Sequence, residues 1–388
     1  HPKSNYAFGE GGAGTFSDGK LTSRSKRISL ERQFILKSYV EAGAPEEIEY
    51  LAHPHLGTDK LKVIVKNLRQ AFQNIGGEML FEIQMTDLRV KNGRVTAIET
   101  DKGTMEADFF VIAQGHSAFE TYRILMNKGV GFHTKNFALG SRMEHPQELI
   151  NEAQWGIKNL KGVKAAEYRL TSPGESGHPV YSFCMCPGGV IVPATAYKNI
   201  NIVNGMSRYL RDGRFANAAC VAGLNLNNLL YREVSAEEAL DWLEELEQSF
   251  FQYTSGYRAP ICGIKDFIRQ KSTSSNKETS YPMGVVQAPL WELLPSEINR
   301  AMRKGLKDFS RKMKGFGEGN LLGLESKTSA PIQVDREKNG LCSGFQNLYV
   351  AGEGSGYSGG IISSAADGIK AAMDILNPTS VSLNAGIG

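Results

Sequence analysis

The stretch that most constrains the fold is NLYVAGEGSGYSGGIISSAADGIKAAMDIL, Asn347 to Leu376. The apolar run Leu348 to Ala351 reads as a short strand, and glycines then break it. From Ile361 onward, small residues recur along one face of a helix. A strand, a glycine-rich crossing and a helix N-terminus form a site for a polar, often anionic, ligand, because the first helical N–H groups have no intrahelical partner. Glu353 stands at the crossing, where its carboxylate can accept hydrogen bonds from sugar hydroxyls. Gly359 and Gly360 put no Cβ between their amides and a flat ring. An ordinary strand–turn–helix with a flexible loop is the competing reading.

Length and composition bound the rest. A chain of 388 residues has room for about two domains. Hydrophobic content of 41% with 22% charged residues is that of a soluble globular protein. A net charge of +3 is too small to argue for nucleic acid or membrane. Five cysteines without regular spacing suggest reduced thiols and a cytoplasmic setting. No apolar run approaches the roughly 18–20 residues that span a bilayer. The first residues, HPKSNYAFGEGG, lack a signal-peptide pattern and a methionine, so the chain is expected to begin inside a longer protein.

Near the start, Gly9, Gly11, Gly12 and Gly14 exclude a helix or central strand. Thr15, Ser17, Lys20, Arg24, Lys26 and Arg27 follow; backbone amides with nearby cations can hold a phosphate or an electron-rich ring. The run is neither a G-x-G-x-x-G that follows a strand nor a G-x-x-x-x-G-K-[ST]. A mobile surface loop is the alternative. Leu30 to Ala44 predicts a helix stopped by Gly43 and Pro45. A second helix is expected from an N-cap at Asp59 to Gly76–Gly77. His53 and His55 lack further ligands nearby and read as loop anchors, with no metal.

Short strands follow: Glu78 to Gln84, then a meander with turns at Asn92–Gly93 and Lys102–Gly103. A buried strand over Phe109 to Ala113 is expected to run into Gln114–Gly115 and a helix from about Ser117. The central region carries strand-like segments, among them Tyr181 to Ala196. Ser235 with Glu238 spells a capping box, and Ser296 is expected to cap a basic helix over Glu297 to Met313. Lys271 to Ser280 reads as a polar loop. Within Tyr181–Ala196, Cys184-Met185-Cys186 is spaced too tightly for an unstrained disulfide and too sparsely for zinc. It reads either as a thiol near a redox cofactor or as two small buried residues before a Pro-Gly turn.

Taken together, GGAGTFSDGKL (from Gly11), HPHLGTDKL (from His53), AQGHSA (from Ala113), FALGSRMEHPQ (from Phe137), YSFCMCPGG (from Tyr181), ESKTSAP (from Glu325) and YVAGEGSGYSGGI (from Tyr349) resemble the uncharacterised FAD-dependent dehydrogenases of the glutathione-reductase-like flavoproteins. The resemblance implies that Gly352, Glu353, Gly359, Gly360 and Ile361 line the flavin's ribityl, pyrophosphate and pyrimidine regions. It implies that Ala113, Gln114 and Gly115 approach the adenosine and pyrophosphate, with Met85 beside the adenine. Gly11, Gly12, Ala13, Gly14, Thr15, Ser17 and Lys20 would belong to a loop wrapping the flavin. Gln114, Glu353 and Lys327 stand where threonine, aspartate and arginine are usual. The N-terminal βαβ unit with its fingerprint and acidic ribose ligand is not found, which puts FAD affinity in doubt.

The expected architecture is α/β: a discontinuous Rossmann-like FAD domain with an inserted α+β substrate domain. Its pieces are 1–55 and 56–135 at the start, the insertion at 136–324, and 325–388 at the end. The expected activity is FAD-dependent oxidoreduction of a small-molecule substrate through flavin N5, with NAD(P)H a possible transient donor. Lys327, Cys184 and Cys186 are the candidate catalytic groups. A flavin-dependent RNA-modifying protein is an alternative, although nucleic acid is not the expected partner. A non-catalytic nucleotide- or partner-binding module is another.

Overall fold

The computed structural model describes residues 5–23, 28–273 and 278–377. Arg24, Lys26, Arg27 and part of the Lys271–Ser280 loop lie outside them. In chain order, the first elements are α1 (Ser29–Glu41), α2 (Gly57–Asn74), β1 (Met85–Lys91), β2 (Arg94–Thr100), β3 (Gly103–Glu106), β4 (Phe110–Ile112) and α3 (Phe119–Asn127). Next come β5 (Phe132–Thr134), β6 (Phe137–Pro146), α4 (Gln147–Trp155), β7 (Thr171–Glu175), β8 (His178–Pro193), β9 (Val203–Ser207) and β10 (Phe215–Leu224). Then follow α5 (Leu226–Leu230), α6 (Ala236–Thr254), β11 (Ala259–Gly263), α7 (Ile264–Arg269), β12 (Val285–Gln287) and α8 (Leu290–Leu293). The last are α9 (Ser296–Lys312), β13 (Asn320–Glu325), β14 (Ile332–Val334), β15 (Leu348–Val350) and α10 (Ile361–Leu376).

These elements form two compact units. The larger holds residues 1–22, 36–78 and 134–332; the smaller holds 23–35, 79–133 and 333–388. The expected insertion, 136–324, falls wholly in the larger unit, whereas the spans 1–55 and 56–135 are each divided.

The larger unit is organised on an eight-stranded mixed sheet ordered β12-β11-β13-β6-β10-β8-β7, with β9 paired to β8. Its centre, β10, reads FANAACVAGL, and Ala216 to Ala222 are all buried. Small residues suit a strand covered on both faces. Helix α9 turns Ile298, Ala301, Met302, Leu306 and Phe309 inward and leaves its cations outside. Lys304 and Arg311 pair with Asp308, and Arg300 with Glu297, so the basic stripe is a solvated face partly neutralised by its own helix.

In the smaller unit, the meander β1-β2-β3 forms as expected. Its first turn has φ 51° at Asn92 and 73° at Gly93, the two consecutive positive values of a tight hairpin. Strands β4 and β15 pair in parallel, Phe110 opposite Leu348 and Ile112 opposite Val350; α3 and α10 follow them in the chain. Leu88, Val95, Phe110, Ile112, Leu125, Leu348 and Val350 share one core. Asn347, fully buried, accepts from Val95 N at 2.9 Å and donates to the carbonyls of Val95 (2.8 Å) and Asp108 (2.7 Å).

Four local expectations differ from what forms. Glu78 to Gln84 is not a strand: Glu82 has φ 58° and Met79, Leu80 and Phe81 are exposed, so no partner strand rewards the apolar run. In β4, only Phe110 and Ile112 are buried, while Phe109 and Val111 are exposed, because one face alone meets the core. Asp59 does not cap α2, whose N-cap is Leu56; its carboxylate accepts instead from Tyr209 N at 2.8 Å. Ser296 is the first residue of α9, behind Pro295, and its hydroxyl bonds Glu297 at 2.8 Å. The Ser235–Glu238 box closes as expected.

Candidate functional site

The residues singled out in the sequence fall into two sets, one in each unit. In the smaller unit, the ends of β4 and β15 meet. A Cβ at Gly354 would lie 2.8 Å from the Gly115 carbonyl and 2.9 Å from Gln114 Cδ, so only glycine lets the crossings approach. Nδ1 of His116 lies 3.1 Å from Glu353 Oε1, and the Tyr122 hydroxyl donates to Gly354 O at 2.9 Å. Ala113, Gln114 and Gly115 are thereby brought to Gly352 and Glu353. Met85 opens β1 and packs against the unit's core.

This crossing leaves polar groups open. Both amide atoms of Gln114 are buried without a hydrogen-bond partner, a cost of about 1–3 kcal/mol per group unless something meets them. No atom would come within 4 Å of a Cβ at Gly115 or Gly359, and at Gly360 only Ser363 Oγ, at 3.8 Å. Gly360 is the N-cap of α10, with Ile361 its first residue. A space without side chains, a helix N-terminus and an unmet amide fit the phosphate and sugar of a dinucleotide.

Two residues that steady this crossing were not foreseen. Asp367, buried in α10, accepts from Gly352 N at 2.8 Å and from Arg336 Nη2 at 2.9 Å. The guanidinium of Arg336 stacks on Tyr357 with 4.4 Å to the ring centre. An acid among the small residues of AADG was the available signal.

In the larger unit, Gly12–Phe16 forms a 3-10 turn entered through Gly11 at φ 79°. Ala13 and Gly14 lie within it. Thr15 is buried and its carbonyl accepts from Thr58 at 2.6 Å; Ser17 Oγ donates to Gly14 O at 2.6 Å. Lys20 pairs with Asp18 at 2.7 Å and donates to the Met185 carbonyl. Asp18 is fully buried and also meets Arg211 (Nη2 at 2.5 Å, Nε at 3.0 Å) and the Ser207 hydroxyl. Burial raises the Asp18 carboxyl and the Lys20 and Arg211 charges more than offset it, so its pKa is lowered.

Beside that loop lies a second buried cluster. Arg142, 0% exposed in β6, donates through Nε to Asn217 Oδ1 (2.9 Å) and through Nη1 to Asn204 (3.3 Å) and Glu325 (3.3 Å). Its Nη2 donates to Cys184 O (2.7 Å) and lies 3.3 Å from Cys186 Sγ. A Cβ at Gly205 would sit 2.3 Å from Nη2, so glycine admits the guanidinium. Burial pushes the Glu325 carboxyl up to about 7, with Arg142 pulling the other way. A charged residue inside the apolar strand FALGSRMEHP was the signal for this cluster.

Cys184 and Cys186 are free thiols, as the spacing implied. The Cys186 thiol donates to the Cys184 carbonyl at 3.4 Å. Interaction with the Cys186 side chain holds the Cys184 thiol well below the usual range, with the Arg142 and Lys20 charges adding to it. The Cys184 side chain and burial push Cys186 up. Lys327 is elsewhere in this unit, its ammonium 2.9 Å from the buried Glu247. The described residues contain no cluster of His, Cys, Asp and Glu suited to a metal ion. None of their helices is long and apolar enough to cross a membrane.

The bare spacing G-x-G-x-x-G does occur in the chain. It appears at Gly9-Gly11-Gly14 and Gly354-Gly356-Gly359. The first enters a 3-10 turn, and the second lies between β15 and α10.

The family model described as "FAD-dependent protein, C-terminal domain-like" matches residues 136–328. An uncharacterized protein of Clostridium beijerinckii is 39% identical over 381 residues, covering 96% of this chain and 71% of its own length. Among solved structures, an oxidoreductase from Methanosarcina mazei is 13% identical with a TM-score of 0.35, covering 81% of this chain and 54% of that one. L-proline dehydrogenase from P. horikoshii is 9% identical with a TM-score of 0.36, covering 84% and 57%. Likeness at that level carries no argument about function, and the chain spans little more than half of either protein. The clostridial match does show kinship, for the chain belongs to one family with that protein, and residues 136–328, within the larger unit, match the FAD-dependent C-terminal domain model.

Proposed function

We propose that the protein is an FAD-dependent oxidoreductase of a small-molecule substrate, with the crossing of the smaller unit holding the cofactor. The observation that carries this reading is the unmet Gln114 amide at the crossing, packed so close to Gly354 that a Cβ there would collide with it. The parallel pair β4–β15, each strand followed by a helix, supports the discontinuous Rossmann-like domain.

Ile361 and the residues after it would offer the N-terminal amides of α10 to an anionic group, while Ser363 Oγ holds the amides of Gly359 and Gly360 at 3.4 and 3.1 Å and fixes the glycine turn. Gln114 has one donor group and one acceptor to give, and Glu353 would accept from a hydroxyl while His116 fixes its direction. Gly115 and Gly352 keep backbone accessible, and Asp367 holds Gly352 N in place. Ala113 and Met85 remain assigned to the adenosine end. Bound FAD supplies hydride or electron transfer; NADH or NADPH is proposed as a transient donor.

The test is gentle purification of the protein, an absorbance spectrum, and mass spectrometry of the ligand released on denaturation. FAD, bleached anaerobically by a nicotinamide or a substrate, is the expected result. Protein that yields no flavin and takes none up would overturn the reading.

A further inference from the structure

The cysteine pair of the larger unit supports an inference that stands apart from the flavin reading. Strand β8 carries a bulge here: Cys186 faces Asn217 of β10 and Phe183 faces Ala219, so three steps on β8 match two on β10. Cys184 lies in the left-handed region at φ 44°, a conformation that costs a non-glycine residue of order 1 kcal/mol and collects at functional sites. Alternate residues of a strand share a face, and the bulge bends β8 between the two cysteines, where the Cys186 thiol donates to the Cys184 carbonyl at 3.4 Å.

Their surroundings differ. Cys184 is half-buried, whereas Cys186, Cys220, Cys262 and Cys342 are buried. Arg142 Nη2 lies 3.3 Å from Cys186 Sγ, and Lys20 is anchored on the carbonyl of the residue between the cysteines. Asn217 gives Oδ1 to Arg142 and leaves Nδ2 buried without a partner. The thiol of the half-buried residue is held low and that of the enclosed one is pushed up; these are the properties of an attacking and a resolving cysteine.

We propose that Cys184 and Cys186 are a redox-active dithiol that reduces small-molecule disulfides. The Cys184 thiolate attacks one sulfur of R–S–S–R; a Cys184–S–S–R bond forms, the R–S–S–R bond breaks, and RS⁻ leaves. Cys186 then gives up its proton and its sulfur attacks Cys184 Sγ. The Cys184–Cys186 bond forms and the second RS⁻ leaves. The pair loses two electrons and two protons, and the disulfide becomes two thiols. A bridge across one intervening residue closes a small, strained ring, which suits a labile disulfide rather than a structural one.

Reduced protein mixed with oxidised glutathione tests this by peptide mass spectrometry. Wild type should yield a Cys184–Cys186 bridge and free glutathione; Cys186→Ser should stop at one glutathionyl adduct on Cys184; Cys184→Ser should give neither. Melting curves show whether the variants are folded. A folded Cys186→Ser protein without the Cys184 adduct would overturn the proposal. Wild type gives an independent arm. Iodoacetamide should label Cys184 at least about tenfold faster than Cys220, Cys262 and Cys342, and equal rates would overturn it as well.

Discussion

Two clusters of the larger unit and the crossing of the smaller one meet their buried polar groups differently. Arg142 in the larger unit finds Asn204, Asn217, Glu325 and two atoms of the cysteine segment. Asp18 likewise finds Lys20, Arg211 and Ser207. At the crossing of the smaller unit, the Gln114 amide finds no partner and packs against Gly354. A network that is nearly satisfied holds a structure and tunes what it touches. A buried amide left unmet carries a cost that the proposed cofactor would offset.

Removing the centre of the satisfied network should have the largest effect. Arg142→Ala would leave the buried Glu325 carboxyl without its ion-pair partner and is expected to cost about 3–5 kcal/mol, read by urea unfolding. A loss under about 1 kcal/mol would show that the network is looser than its distances say. Glu325 sharpens the same point through pH. Its folded pKa of about 7 lies above the ordinary carboxyl value of 4.5, so the folded state binds more protons between those values. Its contribution is therefore present below pH 4.5 and is lost as pH rises through 7, by roughly 3 kcal/mol. Glu325→Gln should remove that slope, and an unchanged slope between pH 4.5 and 8 would sink the assignment.

In the smaller unit, Asn347→Ala would strip three hydrogen bonds from buried backbone groups and should cost about 2–3 kcal/mol. If it costs as much as Arg142→Ala, the contrast between the units weakens. The smallest effect is expected at Ser235→Ala, which opens a capping box remote from both clusters and should lose about 1 kcal/mol.

Features carried by local chemistry were legible in the sequence. The Asn92–Gly93 turn, the Ser235–Glu238 box and the β15–glycine–α10 crossing each need only a few adjacent residues. What stayed hidden depends on partners far along the chain. Arg142 and Glu325 are 183 residues apart, and Asn347 and Val95 252. The apolar run at Met79–Phe81 had strand composition but no strand to pair with. The cysteine pair was visible as a spacing, yet its unequal thiols follow from their mutual interaction across a bulge that no local pattern announces.

FAD binding by the crossing is the central claim, and FAD titration of ligand-stripped protein, followed by quenching of flavin fluorescence, tests it most directly. Wild type should bind saturably, and Gly359→Val, which fills the space at the start of α10, should weaken binding by about tenfold or more without lowering the melting temperature. Equal affinity in the two folded proteins would contradict the account.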